Sequence, residues 1–236
     1  MLRLIADFDG PMIDVSERYY RVYQFCLEQT RRQDQPVREL SKAEFWQLKR
    51  SRSPEWQIGI LSGLDEAQAQ KFSTLRRQTV HTLPYFHLDQ LIGGAVEALE
   101  TLQQAGFDLV VMTMRRVVEL DYALERFNLG RFFPLNRRYR LMNDYVKTRD
   151  IDDKPLLMQQ ALLELPPAED TWMVGDTEAD IVAAKTHGIK VIGVLSGIRD
   201  RAQLEAYEPD YIVGDLSEAV AFVLSQSRQS NPSLVL

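Results

Sequence analysis

Hydrophobic positions along the chain form two kinds of run. One kind is short and mostly apolar, at residues 2–6, 107–112, 171–174, 189–195 and 211–213, with a weaker run at 139–142. Runs of this sort, bounded by turn residues, read as strands buried on both faces. The other kind repeats at spacings of three and four, at residues 94–104, 117–127, 154–165, 178–187 and 217–224. Gly106 and Gly188 stand where two of these helices should stop. Apolar strands alternating with helices predict a parallel sheet covered on both faces.

Residues 15–89 break the alternation. No strand pattern occurs there, and a helical stripe of Tyr19, Val22, Tyr23, Cys26 and Leu27 runs through residues 15–33. Ser41 with Glu44 fits a capping box that opens a helix through Phe45, Trp46 and Leu48. Residues 65–83 form a third long helical stretch, and Arg52-Ser53-Pro54 and Leu61-Ser62-Gly63 punctuate the segment. The expected architecture is α/β: a doubly wound parallel-sheet, Rossmann-like core from residues 1–14 and 90–236, with an all-helical cap of residues 15–89 inserted after the first strand. Residues 225–236 are polar until their end and are expected to form a mobile tail.

In open parallel sheets, sites form at the carboxyl ends of the strands. Asp7 and Asp9 stand at the end of the first strand and Thr113 at the end of the second. Lys154 opens a later helix, and Gly175-Asp176-Thr177 closes the strand at 171–174, with Asp180 one turn on. Carboxylates gathered at one place repel each other unless a cation binds, and without His or Cys a hard, oxygen-seeking ion such as magnesium fits better than zinc. A cation, an ammonium and a hydroxyl together suit the charge that develops in phosphoryl transfer. Each motif taken alone has a plainer reading: Asp7-Phe8-Asp9-Gly10 as an acidic turn, Thr113 as a strand-end hydroxyl, Lys154 as a surface lysine with Lys147 as competitor, and Asp176 and Asp180 as helix N-terminal charges. Their order along the chain, each at the end of an element, favours the chemical reading.

The chain of 236 residues is 45% hydrophobic and 26% charged, within the range of globular proteins. Its net charge of −6 argues against non-specific nucleic-acid binding. Cys26 is the single cysteine and is expected to be a buried apolar residue, and the three histidines are scattered without zinc-type spacing. The apolar run at residues 2–6 is too short for a signal peptide or a membrane span, so a cytoplasmic protein without membrane partners is expected.

Four motifs resemble those of the haloacid dehalogenase-like superfamily, in its capped, phosphoglycolate phosphatase-like subgroup. They are Asp7-Phe8-Asp9-Gly10 after an apolar strand, Thr113 after Val110-Val111-Met112, Lys154-Pro155, and Gly175-Asp176-Thr177-Glu178-Ala179-Asp180 with Ala183-Ala184-Lys185 and Gly188 beyond it. The resemblance implies a magnesium-dependent phosphatase of small organic phosphates that works through a phosphoaspartate. It implies that Asp7 is the nucleophile and that Asp9 is the acid and base. Thr113 and Lys154 would hold the phosphoryl group, with Gly10 and Met114 beside them. Asp7, Asp176 and the backbone carbonyl of Asp9 would bind Mg2+, and Asp180 would orient its waters or ligate it. Asp9 must start protonated, so a dry environment is expected for it. Pro11 departs from the threonine or valine usual in the family and alters the entry into the cap.

A phosphosugar mutase shares these motifs and is the nearest alternative. A dehalogenase needs neither Asp9 nor Asp176. Phosphonate cleavage needs a desolvated cap lysine, and nothing marks Lys42, Lys49 or Lys71 as such. A phospho-accepting signalling domain would be about half as long and lack the insertion. The cap should exclude macromolecules and favour a small soluble substrate. Arg50 and Arg52, in a locally basic loop with Lys49, are candidates to hold a second anionic group on it, as are Arg18 and Arg21 beside Tyr19 and Tyr20. The plainer reading of these arginines is solvated surface charge. Tyr19, Tyr20, Tyr23, Phe45, Trp46 and Trp56 are expected to pack the cap helices. Oligomeric state is not legible in the sequence.

Overall fold

A computed structural model describes residues 1–230, the last three without their side chains; residues 231–236 lie outside it. Six parallel strands form the main sheet: β1 (Leu2–Ala6), β4 (Asp108–Arg116), β5 (Arg138–Leu141), β6 (Asp170–Gly175), β7 (Lys190–Val194) and β8 (Tyr211–Val213), in the order β5-β4-β1-β6-β7-β8. From β1 the chain fills one side of the sheet with β4 and β5, then crosses to build β6, β7 and β8 on the other. The carboxyl end of β1 therefore sits where the winding reverses.

Side chains of a strand alternate between faces, and two apolar layers result. Leu4, Ala6, Leu109, Val111, Trp172, Val174, Ile192 and Val194 pack on one side with α5 (Ala95–Gln104), α6 (Val117–Arg126) and α10 (Leu216–Ser230). Ile5, Val110, Met112, Met173 and Val191 pack on the other with α7 (Asp150–Glu164), α8 (Glu178–Thr186) and Leu204 of α9 (Arg201–Glu205).

Between β1 and β4 the chain makes a second, two-stranded antiparallel ribbon of β2 (Ile13–Asp14) and β3 (Gln90–Leu91), pairing Ile13 with Leu91 and Asp14 with Gln90. Four helices lie between these two strands: α1 (Ser16–Thr30), α2 (Lys42–Arg50), α3 (Glu55–Leu61) and α4 (Glu66–Thr79). They share an apolar cluster of their own, centred on Val22, Tyr23, Phe45, Ile58 and Phe72. Two capping boxes open α2 and α4, Ser41 with Glu44 and Asp65 with Gln68.

Several boundaries differ from the sequence expectation. Helix α7 begins at Asp150 rather than Lys154, because Asp150, Asp152 and Asp153 occupy its first turn and Asp153 accepts hydrogen bonds from the Thr148 amide and hydroxyl. Pro155 therefore lies inside the helix and not in its first turn. Strand β4 runs on through Thr113 to Arg116, and its register with β5 shifts between Met112 and Arg116. Helix α10 continues to Ser230, so only residues 231–236 of the expected tail remain, outside the described residues. Helices α3 and α9 were not expected. No described helix is long and apolar enough to cross a membrane.

Candidate active site

The β1–β6 ladder ends with the amide of Asp7 donating to the Val174 carbonyl at 2.8 Å. That bond places Asp7 beside the loop that follows β6, where Asp176 stands, and beside the first turn of α8, where Asp180 stands. Asp7, Asp176 and Asp180 are all buried, and each offers a carboxylate oxygen within 4.8 Å of the other two. Lys154, in the second turn of α7 and 1% exposed, sets its ammonium 3.1 Å from Asp7 Oδ2 and 2.5 Å from Asp180 Oδ1. Asp180 Oδ2 accepts from the Thr177 amide and hydroxyl, at 3.0 and 2.7 Å. The Phe8 amide donates to Asp7 Oδ1 at 2.7 Å, and the Ile198 amide to Asp176 Oδ2 at 2.6 Å.

Three carboxylates facing one ammonium leave an excess of two negative charges, which one divalent cation would balance. Burial, and then repulsion from Asp180, pushes the Asp176 carboxyl up to about 7. Burial also raises Asp7 well above the ordinary carboxylate range, against the pull of Lys154. A bound cation would reverse both shifts. The walls are cut close around Asp176: a Cβ built on Gly10 or Gly197 would collide with its carboxylate. Gly10 also needs its left-handed φ of +92°, and its carbonyl accepts from the Ser196 hydroxyl at 2.7 Å. An all-oxygen donor set with no His or Cys fits a hard divalent ion.

Asp9 does not join this cluster with its side chain; only its backbone carbonyl remains a candidate ligand. Its carboxylate is gripped by Arg115, with Nη2 to Oδ1 at 2.6 Å and Nε to both oxygens at 3.1 and 3.2 Å. The expectation of a dry, protonated Asp9 is therefore corrected. Burial alone would raise its pKa, but Arg115 and then Arg18 outweigh it and hold the carboxyl below its ordinary value. The pair belongs to a larger network. Arg115 Nη2 also reaches Asp89 Oδ2 at 2.6 Å, and Arg18 Nε reaches Asp89 Oδ1 at 2.7 Å. Both guanidinium groups lie over the Phe86 ring, at 4.5 and 4.9 Å from its centre.

A cavity of about 140 Å³ opens onto these residues. Asp7, Asp9, Thr113, Met114, Lys154 and Asp176 line it, so the sequence-predicted residues Thr113 and Met114 meet the acids. Thr113 to Arg115 fall in the gap of the β4–β5 register, and the Arg115 amide donates to Thr113 Oγ1 at 3.2 Å, leaving the hydroxyl hydrogen free to turn to a ligand. Lys147, the competitor of Lys154, also lines the cavity but is paired with Asp150 at 2.6 Å.

Arg50 and Arg52 do not line the cavity. Arg50 Nη1 is spent on the carbonyls of Leu195 and Gly197, and Arg52 on the Tyr207 hydroxyl and Glu178. Arg18 is fully buried rather than a surface charge, while Arg21 pairs with Glu17 on the surface. Sequence reasoning missed Arg115 and Arg199 on the cavity wall, and His81 from the helical segment. Burial and neighbouring cations hold His81 well below its ordinary pKa, so it is neutral, and burial pushes the Tyr19 phenol up to about 12. The nearest sequence signal for Arg115 is its place two residues after Thr113.

Residues 153–219 match a HAD-hydrolase-like family model. Among curated proteins, the chain is 29% identical over 160 residues to pyrophosphatase PpaX of Bacillus mycoides, an alignment covering 66% of this chain and 70% of that protein. A haloacid dehalogenase-like family hydrolase from Streptococcus pneumoniae shares the fold with a TM-score of 0.67 at 19% identity, over 94% of this chain and 97% of that one. A hydrolase from Pseudomonas syringae does so with a TM-score of 0.59 at 22% identity, over 95% and 99% of the two chains.

Proposed function

We propose that this chain, which belongs to the haloacid dehalogenase-like hydrolases, is a magnesium-dependent phosphatase that cleaves a small organic phosphate through a phosphoaspartate on Asp7. The observation that carries the reading is the acid cluster itself: Asp7, buried among Asp176, Asp180 and the Lys154 ammonium, at the mouth of a cavity that also exposes Asp9 and Thr113.

Asp7 attacks phosphorus as the bond to the leaving oxygen breaks, and Asp9 in its acid form gives that oxygen a proton. Water then attacks phosphorus and gives its proton to Asp9, and the bond to Asp7 breaks, releasing inorganic phosphate and the free carboxylate. As it stands, Asp9 is the carboxylate this second step needs. The first step requires Asp9 to leave Arg115 and take a proton from solvent before the leaving oxygen departs. Lys154 and the Thr113 hydroxyl hold the phosphoryl oxygens, with Gly10 and Met114 beside them. Magnesium on Asp7, Asp176 and Asp180, with the Asp9 carbonyl, would supply positive charge to the same oxygens.

Residues 15–89 serve as the cap in this reading, bringing Tyr19 and His81 to the leaving-group side. The cavity of about 140 Å³ suits a small soluble substrate. The decisive assay is hydrolysis of an aryl phosphate with and without magnesium, followed by a panel of phosphoglycolate, pyrophosphate and pentose and hexose phosphates. Asp7→Asn should lower turnover at least a thousandfold with the fold unchanged, since the amide is nearly isosteric but a far weaker nucleophile. Full activity in excess chelator, or near wild-type turnover in the Asn variant, would sink the reading.

A further inference from the structure

We propose that Arg50 is a positioning residue for Asp176: its side chain fixes the loop of residues 195–199, so that seating of the cap and cation binding at the acid cluster favour one another. The proposal rests on reading that cluster as a metal site.

Between β7 and α9 the chain crosses the carboxyl end of the sheet, and successive residues of this crossing face the site. The Ser196 hydroxyl donates to the Gly10 carbonyl, Gly197 leaves no room for a side chain against Asp176, and the Ile198 amide donates to Asp176 Oδ2. Arg199 then pairs with Glu178 at 2.8 and 3.2 Å on the cavity wall. The loop thus sets the shape and the hydrogen bonding around one carboxylate.

The Leu195 and Gly197 carbonyls receive hydrogen bonds from Arg50 Nη1, at 2.9 and 2.7 Å, and from no other group among the described residues. Arg50 is the last residue of α2, whose terminal carbonyls lack partners within the helix. Its own carbonyl accepts from the Asp200 amide at 3.3 Å. Helix end and side chain together make three bonds to one loop. Arg52, at a left-handed φ of 59°, adds contacts to Glu178 and the Tyr207 hydroxyl. When the cap lifts, both carbonyls lose the Arg50 donor, and the Gly197–Ile198 segment is free to move off Asp176. Coupling of this kind is reciprocal: what the seated cap does for the cation, the cation does for the cap.

The test is calorimetric titration of magnesium into the wild type, Arg50→Ala, Arg50→Gln and Arg50→Lys, with hydrogen exchange of residues 195–200 and 49–53 followed in parallel. Circular dichroism selects the variants that fold. Loss of a hydrogen-bonded clamp should weaken magnesium binding about 3- to 10-fold in the Ala and Gln variants. Exchange at Ile198 should speed up in both, and magnesium should no longer slow exchange at residues 49–53. Lysine, whose single ammonium can reach both carbonyls, should restore most of the affinity. If the Ala variant does not fold, the Gln variant carries the comparison. A wild type that binds no magnesium overturns the metal reading. A wild type that binds it, beside folded Ala or Gln variants of equal affinity and unchanged exchange, overturns the role of Arg50 alone.

Discussion

Asp176 is a buried acid and Asp9 a half-buried one at the same end of the sheet, yet their surroundings push them in opposite directions. Arg115 and Arg18 hold the Asp9 carboxyl below its ordinary range, whereas burial, and then repulsion from Asp180, pushes the Asp176 carboxyl up to about 7. The consequence for stability follows from the signs. The unfolded carboxyl of Asp176 ionises near about 4, so the metal-free folded state loses stability as pH rises from about 4 through 7, and Asp7 adds to the loss. Asp9 works the other way, its contribution being present above the ordinary carboxylate range and lost as pH falls through its lowered value. Thermal melts of the metal-free protein should therefore fall between pH 5 and pH 8, and magnesium at pH 8 should recover the difference. Asp176→Asn should remove part of the fall, at about 2–4 °C per kcal/mol for a chain of this size. A variant as pH-sensitive as the wild type would refute the assignment. Arg115 gives a second prediction. Asp89 is 1% exposed and held by Arg18 and Arg115. Arg115→Ala should cost about 3–5 kcal/mol in urea unfolding, because it leaves a buried carboxylate half-compensated; a change under 1 kcal/mol would mean the network relaxes or hydrates freely.

At the scale of elements, the parts written in local chemistry were legible and the parts written in distant contacts were not. The capping box of Ser41 and Glu44, the glycine stops at 106 and 188, and the strand ends carrying Asp7 and Asp176 all depend on neighbours a few residues away. The short helices α3 and α9 carry too little periodicity to stand out. Arg50 is the clearest failure: its partner carbonyls lie 145 and 147 residues along the chain. A basic loop looks the same in sequence whether its charges meet solvent, substrate or backbone. Arg18 misled for the same reason, since only the approach of Asp89 and Phe86 makes a buried site for it. The loop between β7 and α9 gives an element-scale test. Gly197→Ala puts a methyl group into the Asp176 carboxylate, and such overpacking costs typically 1–3 kcal/mol. Magnesium affinity should drop about tenfold, read by calorimetry, and the metal-free protein should melt lower by about 2–4 °C for each kcal/mol lost. Unchanged affinity would mean that the loop yields without disturbing the acid.

At the scale of the whole molecule, the central strand of the sheet is the one cut off from the rest. β1 pairs with β4 and β6, yet the four helices of residues 15–89 separate it from β4 in sequence. The sheet cannot form its middle until the chain has closed a loop of that length, and loop closure costs entropy before any long-range pairing compensates it. The helical insertion eases this closure. Its helices pack on an apolar cluster of their own, and its two ends meet in the β2–β3 ribbon. An insertion that folds early would bring β1 and β4 within reach as a by-product, acting as an internal nucleus as well as a cover for the cavity. Ile58→Val, deep in the insertion cluster, should then slow refolding of the whole chain in proportion to its loss of about 0.5–1.5 kcal/mol. Val191→Ala in β7 should mainly speed unfolding. Stopped-flow chevrons of the two variants decide the order of events, and an unchanged refolding limb for Ile58→Val would place the nucleus in the sheet instead.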